Sequence, residues 1–151
     1  MIFENIKKNF YISLIVPITI FILDRISKIY VINLSKNSSD IELFSSKFLN
    51  ITLVWNEGIA FGIFSAIHEY WYNLLTIAIV LIAIVILIMS IRQDGMQQYF
   101  LLIVFGGALG NLYDRIFFKA VPDFIDLHVG DFHWFIFNIA DIFITFGVIM
   151  L

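Results

Sequence analysis

The chain contains no cysteine. That excludes disulfides, thiolate zinc sites, iron–sulfur ligation, a cysteine nucleophile and lipidation of this chain on cysteine. Charge is scarce as well: only 14% of the 151 residues are Asp, Glu, Lys or Arg, where a soluble domain carries about a quarter. The net charge is −3 with no basic run, which leaves no electrostatic footprint for nucleic acid. His68, His128 and His133 are scattered, without His–x–x–x–His or similar ligand spacing, so the sequence supports no metal site and calls for no cofactor. No Gly-x-Ser-x-Gly or Ser-x-x-Lys motif marks an active serine. Internal repeats, low-complexity tracts and linkers are also missing, so a single domain over 1–151 is expected.

What is present is apolar and blocky. Hydrophobic residues make up 61% of the chain, and the mean hydropathy is +0.95. A spanning helix needs about 20 mostly apolar residues. Four stretches qualify: residues 10–32, 70–91, 97–115 and 134–151. The second holds Leu81 to Met89 without a charge and reads as the lipid-facing anchor. The first follows Lys7 and Lys8 but shows no small-residue cleavage site after Leu23, so it reads as a retained helix, with a kink expected at Pro17. The third, with Gly106, Gly107, Gly110 and Asn111, and the fourth, with Asn138 and Asp141, are polar enough to face protein.

Residues 33–69 begin with a Ser/Asn/Asp loop and include the β-formers Phe48 to Trp55, so a small extramembrane sheet is expected there. Arg92-Gln93-Asp94-Gly95 is a short turn that makes the second and third helices antiparallel neighbours. Residues 116–133 form a second loop on the side of the first. The fold class is therefore a mainly α membrane protein of four transmembrane helices with a small β-rich extracytoplasmic part. Lys7 and Lys8 favour a cytoplasmic N-terminus, although Arg25, Lys28, Lys36, Lys47, Arg115 and Lys119 outnumber the basic residues on that side.

Ionisable residues inside spans are costly, which makes each a functional candidate unless a structural partner accounts for it. Asp24 and Lys28 are four apart, in the favourable order for an ion pair on one helical face. Gly106 and Gly110 are a small-xxx-small pair that lets another helix approach. Asn111, Asp114 and Arg115 recur at three and four residues and share a polar face. Asp123 follows Pro122, where a turn or cap role is the commoner one. Asn138 and Asp141 are three apart, and an acid among apolar neighbours with no nearby base has a poor structural explanation. Two carboxylates in a poorly hydrated site share a proton, one acting as base toward water and the other as acid toward a carbonyl oxygen, which suffices for peptide hydrolysis.

The order of motifs is more specific than any one of them: Asp24-x-x-x-Lys28, Asn56 to Gly62, Gly106 to Arg115, Asp123-Phe124-Ile125, and Phe137-Asn138-Ile139-Ala140-Asp141. Over about residues 20–147 the chain resembles the lipoprotein signal peptidase, or signal peptidase II, family. The resemblance implies a bacterial inner-membrane aspartyl endopeptidase that cleaves prolipoproteins just before a cysteine carrying diacylglycerol and that is inhibited by globomycin. It puts Asp123 and Asp141 at the catalytic positions and Asn56, Gly58, Asn111, Arg115 and Asn138 at positions that line the site or hold substrate. Asp24 and Lys28 match its polar support, and residues 40–65 its extracytoplasmic cradle. Three departures stand out: Arg25 where glutamine is common, Phe135 where a proline usually precedes the Phe-Asn motif, and Ile142 where a small residue often follows the last aspartate.

Other classes fit less well. A proton-coupled transporter predicts a polar path across the bilayer, whereas these acids gather near one face. An assembly subunit explains the glycines but not Asp123, Asn138 and Asp141, and a presenilin-like protease needs a Gly-x-Gly-Asp signature. Asp114 and Asp126 are the rivals of Asp123, with Asp114 expected to pair with Arg115 or to cap the third helix.

Overall fold

A computed structural model describes residues 2–37, 42–58 and 68–151, with side chains from residue 14 in the first helix and residue 70 in the second. The motif residues 59–62, most of the expected cradle beyond Gly58, the loop at 38–41, and the side chains of Lys7, Lys8 and His68 lie outside the described residues. The elements in order are α1 (Ile2–Asn37), β1 (Glu42–Ser45), β2 (Leu49–Asn56), α2 (His68–Arg92), α3 (Met96–Phe118), β3 (Val121–Val129), β4 (Phe132–His133) and α4 (Ile139–Met150).

Helix α3 is the hub, packed against α1, α2 and α4. Its composition explains why. Gly106 and Gly110 present bare backbone to α1, where an added Cβ would lie 2.8 Å from the Pro17 Cα and 2.5 Å from Asp24 Oδ2. Pro17 itself stays inside α1. Helix α2, by contrast, is apolar all round and leaves Ile77, Leu81, Ile84 and Ile88 uncovered, as a helix solvated by lipid does. Among the described residues two helices, Tyr70–Arg92 and Met96–Phe118, are long and apolar enough to cross a membrane. In α1 the apolar run is broken by Asp24, Arg25 and Lys28, which turn inward to α3.

The four strands form one antiparallel sheet in the order β1-β2-β3-β4. The register between β2 and β3 slips at a bulge between Ile51 and Val54: Ile51 faces Ile125, but Val54 faces Asp123. An extra residue in one strand reverses the side-chain alternation beyond it. The bulge therefore carries Asn56 onto the same face as Asp123.

Three boundaries differ from the sequence reading. Helix α1 runs beyond 10–32 at both ends, because hydropathy marks the apolar stretch and not the helix, and Lys and Ser are tolerated in exposed turns. Residues 116–133 are not a loop: α3 continues to Phe118, stops at Lys119 in a left-handed conformation (φ 58°), and is followed by β3 and β4. Helix α4 starts at Ile139, not 134. Phe137 pairs with Ile125 instead, its N–H donating to that carbonyl at 3.1 Å. A short apolar aromatic run fits a strand as well as a helix, and periodicity alone does not separate them.

Candidate active site

Asp123 and Asp141 are brought to one place by different elements. Asp123 stands on β3, and it is buried. Asp141 is in the first turn of α4, whose N-cap is Asn138. There the Asn138 Oδ1 accepts from the Asp141 N–H at 3.1 Å, and the Asn138 N–H donates to Asp141 Oδ2 at 3.1 Å, a reciprocal capping box. The cap does more than start the helix. With its oxygen occupied, the Asn138 amide must aim Nδ2 away, and that nitrogen donates to Asp123 Oδ1 at 2.6 Å. One fully buried asparagine thus ties both aspartates together.

Two more amides complete the arrangement. Asn56 Oδ1 accepts from the Gly58 N–H at 2.8 Å, which leaves Asn56 Nδ2 to donate to Asp123 Oδ2 at 2.9 Å. Gly58 has φ 81°, and an added Cβ would meet Leu75 at 2.8 Å, so glycine is required to make this turn. On α3, Asn111 Oδ1 accepts from Lys28 at 2.9 Å and from Asn138 at 3.1 Å, so Asn111 Nδ2 donates to Asp141 Oδ1 at 2.7 Å. Every oxygen of the two carboxylates therefore receives one neutral N–H. Among the described residues neither aspartate forms an ion pair. Burial pushes the Asp123 carboxyl above its usual range, and the negative charge of Asp141 adds to this, while the amide donors from Asn56 and Asn138 oppose it.

Behind the amides lies a charged cluster. The buried Lys28 ammonium spends its three donors on Asp24 Oδ2 (2.9 Å), Asp114 Oδ2 (2.7 Å) and Asn111 Oδ1 (2.9 Å). Asp24 Oδ1 accepts from the Ala140 N–H at 3.1 Å, so α1 holds the first turn of α4 in place. Arg25 lies 2.7 and 2.8 Å from the two oxygens of Asp114 and 4.8 Å over the Tyr113 ring. This is the consequence of having Arg25 where glutamine is common: two acids and two bases balance.

The expectation that Asp114 pairs with Arg115 is corrected here. Adjacent helical residues diverge by about a quarter turn, so Asp114 faces α1 while Arg115 turns back to donate to the Asn111 carbonyl at 3.3 Å. Arg115 is outside the hydrogen-bonded set around the two aspartates. Asp126 is also accounted for: three residues beyond Asp123 on a strand, it falls on the opposite face and takes His133 at 2.8 Å. The three histidines are not all scattered either. His128 and His133 are register partners on β3 and β4 with stacked rings 5.0 Å apart.

An apolar groove of about 800 Å³ opens beside Asp141, between the β3–β4 hairpin and α4, with Phe48, Trp134, Phe137 and Phe146 among its walls. Sequence reasoning did not assign these residues to the site. The available signal was the aromatic density from Phe132 to Phe137. Phe135 and Ile142, two of the three departures, line this groove.

Residues 16–151 match the family described as Signal peptidase (SPase) II. The lipoprotein signal peptidase of Pelagibacter ubique (strain HTCC1062) is 50% identical over 144 residues, covering 95% of this chain and 87% of that protein. That of Anaplasma phagocytophilum (strain HZ) is 45% identical over 143 residues, covering 92% and 88%. A bacterial membrane enzyme solved by the in meso method at 1.9 Å resolution shares the fold with a TM-score of 0.68 and 33% identity, over 91% of this chain and 88% of that one. The matched span takes in every element that positions Asp24, Asn111, Asp123, Asn138 and Asp141, and the chain belongs to the signal peptidase II family.

Proposed function

We propose that this protein removes signal peptides from diacylglyceryl-modified prolipoproteins, cutting just before the lipidated cysteine, with Asp123 and Asp141 as the catalytic pair. The observation that carries this reading is the neutral amide cradle. Two carboxylates are linked through Asn138 and held by N–H donors, with no cation paired to either among the described residues. Burial favours the proton on Asp123. Asp141, the other member of the pair, then takes a proton from water. The water oxygen attacks the scissile carbonyl while Asp123 gives its proton to the carbonyl oxygen. Asp141 then gives its proton to the amide nitrogen, the C–N bond breaks to free the amine, and Asp123 takes back a proton from a gem-diol hydroxyl as the new carboxyl group forms, which restores the pair.

The groove beside Asp141 suits the diacylglycerol of the substrate. Each buried acyl methylene is worth about 0.8 kcal/mol, so such a wall selects lipidated substrates with little reading of peptide sequence. In this reading α1, α2 and α3 span a bacterial inner membrane, and α4, whose 12 residues fall short of the about 20 that a crossing needs, enters it as the fourth membrane helix. Both termini are cytoplasmic, and the sheet stands at the extracytoplasmic face. Residues 33–69 and 116–133 belong to that face, because this arrangement gathers Asp24, Asn56, Asp123 and Asp141 on one side. Arg115 retains a role in substrate contact, with its Nε buried and unpartnered among the described residues.

The decisive experiment offers purified protein in detergent a prolipoprotein with and without diacylglycerol. Cleavage of the lipidated form, blocked by globomycin and insensitive to chelators and to serine- or cysteine-directed reagents, is the expected result. Equal cleavage of the unlipidated form would remove the role given to the groove. Single-cysteine labelling, clean in this cysteine-free chain, tests the topology: position 94 labelled from outside intact cells with position 47 protected would reverse it.

A further inference from the structure

The β3–β4 hairpin carries a second cluster that the proposed chemistry does not use. Asp126 and His128 are two apart on β3 and so share one face of the strand. His133 is the direct cross-strand partner of His128, reached through the two-residue turn Gly130-Asp131. Strand geometry alone therefore converges a carboxylate and two imidazoles on one patch. His133 Nδ1 is 3.0 and 2.8 Å from the two Asp126 oxygens. One donor atom from each of Asp126, His128 and His133 lies within 4.8 Å of the others.

A second observation points to a ligand. Nδ1 of His128 is buried and has no hydrogen-bond partner among the described residues. A buried ring nitrogen is ordinarily satisfied, and stacking on His133 supplies it no donor. We infer that Asp126, His128 and His133 bind one divalent cation of the zinc class, at a site separate from the aspartate pair. Two imidazoles and one carboxylate are a donor set for zinc and its neighbours, whereas magnesium and calcium take oxygen ligands. Tetrahedral zinc with bonds of about 2 Å holds its ligand atoms about 3.3 Å apart. The donors here close to that spacing by side-chain rotation, for which the half-exposed His133 has room. Water completes the coordination.

The consequence is mechanical. The ion ties β3 to the two-residue strand β4 close to their turn, a local tie that cleavage does not require. Asp126 lies on the opposite face of β3 from Asp123, so the ion does not enter the amide cradle.

The test uses the full chain without an affinity tag, in detergent, titrated with Co²⁺ and followed by its visible ligand-field absorption, then with Zn²⁺ in competition. The expected result is saturable binding of one ion, displaced by Zn²⁺. His128→Phe and His133→Phe should each weaken binding by at least about tenfold, the loss that even an outer-shell change can cause, while Asp123→Asn binds as the wild type does. Hydrogen exchange at the amides of residues 128–133 should slow on adding Zn²⁺ to the wild type and stay unchanged in His128→Phe. The inference is overturned if binding is not saturable, if both histidine variants bind like the wild type, or if Asp123→Asn is the variant that loses the ion. Cleavage of prolipoprotein is not the readout, so failure here leaves the proposed function untouched.

Discussion

Two groups of acids lie side by side, joined through Lys28 and Asn111, and are treated in opposite ways. Asp24 and Asp114 are met by Lys28 and Arg25, ammonium and guanidinium against carboxylate, at 2.7 to 3.4 Å. Asp123 and Asp141 are met by the amides of Asn56, Asn111 and Asn138 and by one backbone N–H. A cation beside a carboxylate opposes its protonation and ties up its oxygens, whereas a neutral donor fixes geometry and leaves the proton freer to move. In the proposed function the charged cluster is therefore scaffolding and the amide cluster the reactive site. Asn111 joins them, accepting from Lys28 on one atom and donating to Asp141 on the other.

The largest effect expected from this contrast is on turnover. Asp123→Asn and Asp141→Asn should each lower cleavage by about 10²–10⁴-fold or more, the worth of a positioned acid or base, in protein shown to be folded and to bind substrate. Near-wild-type cleavage by either variant would break the comparison at its root. Asp114, the next candidate on sequence grounds, is already committed to two cations.

Removing one member of the charged cluster should act on stability instead. Lys28→Met leaves Asp24 and one oxygen of Asp114 without their ammonium in a buried setting. A loss of about 3–5 kcal/mol is the usual cost of uncovering a buried charge, read as a lowered unfolding midpoint in detergent. Asp114→Asn should likewise lower the midpoint while the surviving folded fraction still cleaves. If Lys28→Met unfolds like the wild type, the cluster is not the scaffold.

The pH profile sharpens the comparison further. Burial raises the Asp123 carboxyl and Asn56 lowers it, so kcat/KM should fall on the alkaline side as Asp123 loses its proton, at a pH above the ordinary carboxylate range. Asn56→Ala removes a donor that favours the charged form. The alkaline limb should therefore move to higher pH, and movement the other way would contradict the assigned hydrogen bond. The smallest effect is reserved for Asp126→Asn, which should retain a measurable cleavage rate because its carboxylate faces away from Asp123.

Much of the candidate site was legible in the residues. Asp24 and Lys28 at four residues, Asn111 and Asp114 at three, and Asn138 with Asp141 at three are helical spacings, and the structure uses all of them. Asp123 was legible only through the order of motifs, since a lone aspartate after proline reads as a turn. What spacing could not supply was the partner across elements. Asp114 went to Lys28 and Arg25, 86 and 89 residues away, and not to its neighbour Arg115. Likewise His128 and His133 are unremarkable at five residues apart and meet only because a two-residue turn folds β4 back on β3.

The sequence by itself determined that lipid surrounds this chain, that α2 and α3 are helices joined by a short turn, and that acids and amides recur on single helical faces. These follow from composition and from periods of a few residues, which are local properties. The tertiary structure decided the rest. A one-residue bulge in β2 put Asn56 on the side of Asp123, the pairing of Phe137 with Ile125 delayed the start of α4 until Asn138 could cap it, and the bare backbone at Gly110 let Asp24 reach α4 past α3. Each of these depends on which backbone lies opposite which, a relation between residues far apart in the chain that no local pattern encodes.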